Sequence, residues 1–167
     1  MRLSALLLLA AALPAMAADP KPEIERPPAA PQAVGTVHTI RGIPEACTRL
    51  EGVFTGEAAQ PYRFEAVRTS PNCGARAHFV DAKQARPANS KGWILNDVIR
   101  VPSAACPRQQ AVVRVWRHPA DVAPPKLDAQ GRSRIYLQES LAKARAHALP
   151  AIPAYTATMT VDGTCDR

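Results

Sequence analysis

Residues 62–68 read Tyr-Arg-Phe-Glu-Ala-Val-Arg, and this stretch decides the predicted fold class. Tyr62 and Phe64 share one face with an alanine, whereas Arg63 and Glu65 share the other face. Successive side chains of a β-strand point to opposite sides, so an alternation with a period of two predicts a strand with one buried face.

Strand-like patterns continue on both sides of this stretch, separated by turns rich in proline, glycine and asparagine. Residues 93–101 are apolar on both faces apart from three polar positions, which indicates a central strand. The predicted strands are 34–41, 49–56, 62–68, 75–81, 93–101, 111–116 and 155–161.

One segment has helical periodicity instead. Between residues 137 and 149, leucines and alanines recur at spacings of 4, 3 and 4 along one stripe, and Pro150 ends the segment. The sequence therefore predicts a mainly β protein. We expect an antiparallel sandwich or a strongly bent sheet of about seven strands, with one helix at about 137–149 covering an edge or a face.

Residues 1–17 have the features of a secretory signal peptide: a charge at Arg2, an apolar run over 3–13, and small residues at Ala15 and Ala17. A transmembrane anchor needs about 20 apolar residues, and the run is shorter. We therefore predict export to the periplasm or the outside of the cell, without a transmembrane anchor. Although the net charge is +7, an exported protein is not expected to bind nucleic acid.

Residues 18–33 read ADPKPEIERPPAAPQA, with five prolines and almost no large apolar side chain. This composition predicts a disordered, polyproline-II-like arm that does not pack. Its two basic and three acidic residues give it a charge of −1. Residues 34–167, predicted to form a single disulfide-stabilised β-rich domain, therefore carry the whole positive excess of +7.

Four cysteines in an exported chain predict two disulfides. The hairpin of the second and third predicted strands brings Cys47 near Cys73. Cys106, which lies in a turn, is then left to pair with Cys165 just after the last strand. A zinc site is the rival interpretation. No two cysteines have the short spacing of a zinc motif, so we predict neither a metal site nor a cofactor.

No catalytic motif is present: there is no nucleophile elbow, phosphate-binding glycine loop or paired-histidine metalloprotease pattern. Glu65, Asp81 and Asp97 could form a glycosidase-type pair if they converged on one face, but surface ion pairing is the better interpretation. The four histidines, at positions 38, 78, 118 and 147, show no metal-ligand spacing. No catalytic residue is predicted.

Arginine is the most informative residue type, accounting for 16 of the 21 basic residues. Arg63, Arg76 and Arg114 alternate with apolar positions, and on neighbouring strands they would form a basic face that binds phosphate, carboxylate or sulfate. The alternative is that the arginines pair with acids of the same chain. Trp93 and Trp116 could stack on a sugar, but with so few aromatic residues they are better assigned to the core.

These features predict an exported, soluble, non-catalytic binding or structural protein of the cell envelope. Its partner would be an anionic envelope component or an envelope protein. Two alternatives remain open: an inhibitor or immunity-type protein that blocks a secreted hydrolase, and a hydrolase of unrecognised type.

Overall fold

The computed structural model describes residues 19–118 and 152–165. These residues form a mainly β structure with seven strands in two sheets, which confirms the predicted fold class. None of the helices within them is long and apolar enough to cross a membrane. The helix predicted at 137–149 and the signal peptide predicted at 1–17 lie outside the described residues.

The first sheet is an antiparallel meander of β1 (His38–Ile43), β2 (Thr48–Phe54) and β3 (Tyr62–Arg68), in that order. β2 and β3 pair without a register shift, and the bounds of β3 are those that the alternation predicts. The inward residues of β2 are buried and its outward residues are partly exposed. One face of this sheet is therefore buried, and the other face is partly exposed to solvent.

The second sheet contains β4 (His78–Phe79), β5 (Ile94–Pro102), β6 (Gln110–His118) and β7 (Ala154–Asp162), in the order β4-β7-β6-β5. All its pairings are antiparallel except the two-residue contact of β4 with β7. A one-turn helix, α1 (Ala82–Ala85), precedes β5.

The two sheets pack face to face over one apolar core, so the fold is a β-sandwich. The first sheet contributes Ile40, Ile43, Leu50, Phe54 and Tyr62, and the second contributes Ile99, Val101, Ala111, Val113, Val115, Tyr155 and Ala157.

A second apolar cluster lies on the other face of the four-stranded sheet. Trp93 and Trp116 are each 8% exposed there and pack with Leu95, Val98 and Val112. Both tryptophans are therefore packing residues, as their assignment to the core predicts, and they do not form an exposed sugar-stacking platform.

The described part of the arm, residues 19–33, lies along the free edge of β5. Four backbone N–H groups of the arm donate to carbonyl oxygens of β5 at 2.8–3.0 Å; they belong to Glu23, Ile24, Ala29 and Gln32. The prediction of a disordered arm is therefore wrong for these residues. Composition measures only how much apolar surface a segment can bury, whereas this arm is held by backbone hydrogen bonds and charged side chains.

The arm also explains why β5 reads as a central strand. In the sheet order β5 is an edge strand, and unpaired edge strands are usually marked by exposed charges or irregularities. β5 needs no such protection along its length because the arm runs parallel to it, with bridges at Ile24–Asp97 and Gln32–Ser103.

Both disulfides have the predicted pairing. Cys47–Cys73 joins the start of β2 to the loop after β3, and Cys106–Cys165 joins the β5–β6 loop to the end of β7. Closing loops of these lengths stabilises the fold by about 3–4 kcal/mol per bond in the chain-entropy model.

Gly52 lies on the inward face of β2, and the ring of Tyr62 crosses over it. A Cβ atom at Gly52 would lie 1.9 Å from the Tyr62 hydroxyl and 2.9 Å from Cδ1 of Ile40. Gly52→Ala is expected to lower the free energy of unfolding by about 1–3 kcal/mol, because a packed core adapts poorly to added volume. Urea denaturation of the oxidised protein measures this.

The matched control is Gly42→Ala on β1, where an added Cβ meets nothing within 4 Å. This variant is expected to change the free energy of unfolding by no more than about 0.5 kcal/mol. Equal effects of the two substitutions would show that the path of Tyr62 over Gly52 is not what requires a glycine.

Candidate functional site

A group of six charged side chains occupies the end of the sandwich at which the arm reaches β5. We call it the charged cluster. Its three acids balance its three bases, and its members are Glu23, Arg26, Arg41, Glu45, Asp97 and Arg117.

Asp97 is completely buried and lies at the centre of this cluster. Its Oδ1 accepts from Arg26 Nε at 3.0 Å, and its Oδ2 accepts from Arg26 Nη2 at 2.5 Å and from Arg41 Nη1 at 2.9 Å. Arg26 belongs to the arm and Arg41 to β1. One carboxylate therefore links the arm and both sheets.

A β-bulge directs Asp97 into the core. Leu95 packs in the outer cluster and Ile99 in the inner core, although strict alternation would put both on one face. The register of β5 against β6 shifts between Leu95 and Asp97, so Asn96 is the extra residue. This shift turns Asp97 toward the opposing sheet.

Arg117 is the second buried partner of the arm. It follows Val113 and Val115 on the inward face of β6, and its side chain is 2% exposed. Its Nε and Nη2 donate to the two carboxylate oxygens of Glu23 at 3.2 and 2.7 Å. Asn96 Nδ2 donates to Glu23 at 2.8 Å, whereas its buried Oδ1 accepts no hydrogen bond.

Burial and charge together shift the pKa of one member of the cluster, Arg41, and of the adjacent Tyr155. Burial lowers the pKa of Arg41, and the Asp97 carboxylate opposes that shift. Burial raises the pKa of Tyr155 to about 12, and the negative charge of Glu45 adds to the effect. Tyr155 therefore stays protonated at neutral pH, and the oxygens of Asp97 and Glu23 are occupied by arginines. Asp97 and Glu23 therefore act as ion-pair partners that hold the arm against the sandwich.

The three predicted ligand-binding arginines do not share a sheet face. Arg63 projects from β3 in the first sheet, and Arg114 lies on β6 in the second sheet. Arg76 lies in the segment that connects β3 to β4. Arg114 Nε donates to Asp19 at 2.6 Å and its Nη1 donates to Thr160 at 3.1 Å. Arg114 thus follows the alternative interpretation, in which arginines pair with acids of the same chain.

The three acids considered as a glycosidase pair are also apart. Glu65 lies on the outward face of β3, Asp81 accepts from the Lys83 backbone N–H at the start of α1, and Asp97 is buried in the charged cluster. Within the described ranges, no group of three His, Cys, Asp or Glu residues could hold a metal ion.

A groove of about 870 Å³ opens where the β5–β6 loop meets the end of β7, at the end of the sandwich away from the charged cluster. We call it the end groove. Val34 and Val161 contribute apolar wall, and the Cys106–Cys165 disulfide forms one rim. Gln109 and Thr164 add hydrogen-bonding groups. Apolar walls with a few polar groups are common features of binding pockets.

Sequence patterns singled out none of the charged cluster's arginines. The one available signal is the pair Asn96-Asp97 in an otherwise apolar strand, since buried polar residues require partners. Comparison with known proteins finds no family model, no curated protein and no solved structure that matches this chain.

Proposed function

We propose that this chain is an exported, non-catalytic binding protein of the cell envelope, and that the end groove takes up a segment of a partner protein. The groove carries this proposal: it combines apolar walls, a few hydrogen-bonding groups and a rim fixed by a disulfide. Two disulfides fit an oxidising compartment, either periplasmic or extracellular.

A protein segment suits the groove better than an anion does. Its charged lining residues include one acid, Glu57, and one base, Arg108, so the groove has no single sign of charge. Small side chains at Ala58 and Ala105 leave room for a neighbouring chain. The arginines predicted to hold an anion are distributed over both sheets and do not support an anionic ligand.

A photo-crosslinking residue at Ala58 tests this proposal in envelope extract, with Gln84 on α1 as the exposed control position. We expect one protein to be captured from the groove position alone.

Ala105→Trp is expected to fill the groove and weaken binding of that protein by about tenfold or more, equivalent to about 1.4 kcal/mol. Ala75→Trp, an exposed alanine outside the groove, is the matched control. Capture that is indifferent to Ala105→Trp contradicts the proposal.

Binding to anionic vesicles separates the two kinds of partner. If the envelope partner were an anionic surface, changing Arg63, Arg76 and Arg114 together to alanine would weaken a salt-sensitive interaction. We expect this triple variant to retain the binding of the parent protein. A loss of salt-sensitive binding in the variant would favour the anionic component instead.

The inhibitor alternative is supported by the rigidity of the groove rim. In the β5–β6 loop, the Ser103 N–H donates to the Gln109 carbonyl at 3.0 Å and the Gln109 N–H donates to the Cys106 carbonyl at 2.8 Å. A loop held in this way is preorganised for docking. If the captured protein is a hydrolase that loses activity on binding, the groove belongs to an inhibitor.

A further inference from the structure

We propose that the edge of β5 accepts the arm of a second copy of this chain, so that two copies exchange arms. This inference concerns the arm and the charged cluster and does not depend on the proposed function. It rests on three observations: the contacts that hold the arm, the turn that connects the arm to the sandwich, and the apolar residues exposed at that turn.

The arm binds the edge of β5 through charged side chains at a fixed spacing. Glu23 meets Arg117 and Asn96, and three residues later Arg26 meets Asp97. Between and beyond these side chains, parallel backbone hydrogen bonds set the register. All the donors and acceptors of the arm lie before the first strand, so the same arm from another copy satisfies every one of these contacts.

The turn at residues 33–36 connects the arm to the sandwich, and it depends on few contacts. The Thr36 N–H donates to the Ala33 carbonyl at 3.4 Å, and the Gly35 N–H donates to the Phe54 carbonyl at 2.8 Å. Gly35 has a φ of +77°, a conformation that favours glycine. An exchanged pair would lose little more than this turn when the segment extends.

Apolar residues are exposed at the same turn. Val34 is 44% exposed and Val37 is 61% exposed, and together with Ile152 they are the exposed large hydrophobic residues of the described chain. In an exchanged pair the two connecting segments run side by side around a two-fold axis. The valines of both copies would then bury one another, which compensates for the lost turn.

The same arm contacts form within one chain or between two chains. The ratio of exchanged dimer to monomer therefore depends on protein concentration. A short connection gives the arm an effective concentration of the order of millimolar for its own acceptor. We therefore expect monomers in dilute solution and exchanged dimers in concentrated solution or after refolding at high concentration. Both forms would contain the same ion pairs.

Two charge reversals test exchange directly. Glu23→Lys places a cation beside Arg117, and Arg117→Glu places an anion beside Glu23, so each single variant has a like-charge contact within its own chain. In an equimolar mixture, each arm meets an opposite charge only on the other copy. We expect co-refolding of the mixture to yield a heterodimer by light scattering, with a melting temperature above that of either variant alone.

The double variant Glu23→Lys/Arg117→Glu is the control, because it restores the opposite charges within one chain. Two unchanged monomers in the mixture, alongside a folded double variant, overturn the proposal. If the reversed pair does not fold at all, Gly35→Val gives a second test. It strains the turn and is expected to raise the dimer fraction of the otherwise native chain at least several-fold at equal concentration. A strictly monomeric Gly35→Val protein at millimolar concentration also overturns the proposal.

Discussion

Asp97→Asn is expected to lower the free energy of unfolding by about 3–5 kcal/mol, the usual effect of removing one partner from a buried ion pair. The substitution keeps the shape of the side chain and removes its charge. Two arginines then lose their carboxylate, and for Arg41, whose side chain is 13% exposed, Glu45 is the acid that remains nearby among the described residues. Urea denaturation of the oxidised protein at neutral pH measures the change.

Asp162→Asn is the matched control for this variant, since Asp162 is exposed at the end of β7. Its expected change in the free energy of unfolding is within about 0.5 kcal/mol.

A second variant separates the effect of charge from the effect of burial. Replacing all three linked side chains together, as Asp97→Leu with Arg26→Met and Arg41→Met, is expected to destabilise less than Asp97→Asn, because neither arginine is left without its carboxylate. If Asp97→Asn unfolds at the same urea concentration as the parent, Asp97 does not link the arm to the sheets.

The local periodicity of the sequence was enough to predict the strands. Alternation gave β3 its bounds, and β6 and β7 extend by one or two residues beyond their predicted ends. β1 and β4 are the exceptions. β1 starts at His38, four residues after its predicted start, because the turn after the arm occupies the positions before it. Residues 75–81 alternate, yet only His78 and Phe79 pair as a strand. The backbone N–H groups of Arg76 and Ala77 instead donate to the Glu45 carbonyl, a contact that no local pattern encodes.

The charged cluster could not be predicted because its partners are far apart in sequence. Arg26 and Asp97 are separated by 71 residues, and Glu23 and Arg117 by 94. Each of these residues is unremarkable within its own segment: the arm reads as a polar linker, and Arg117 reads as the end of a strand. Only the polar pair within β5 marked the place where partners were required.

The arginine content is explained by the same contacts. The sequence offered two interpretations of its arginines, an anion-binding face and pairing within the chain. Arg26, Arg41 and Arg117 support the second, since each binds a carboxylate of the cluster. The cluster's three acids and three bases cancel, so the net charge of +7 belongs to residues outside the cluster.

Glu23→Gln is the second substitution with a large expected effect, a loss of about 3–5 kcal/mol in the free energy of unfolding. The change leaves the nearly isosteric side chain in place but removes the charge that faces Arg117. That arginine is 2% exposed and cannot turn to water while the arm remains docked. If the arm were a tether, as its composition predicts, the substitution would have no effect on unfolding.

Glu25→Gln is the control for Glu23→Gln because it makes the same chemical change two residues away. Glu25 pairs with Lys21 on the surface, where both side chains are more than half exposed, so its loss is expected to change stability by about 0–1 kcal/mol. A double-mutant cycle of Glu23→Gln with Arg117→Met then isolates the pair. We expect a coupling energy in the upper part of the range of about 0.5–3 kcal/mol for contacting residues. Additive effects in this cycle would mean that the arm is held by its backbone hydrogen bonds and not by the buried ion pair.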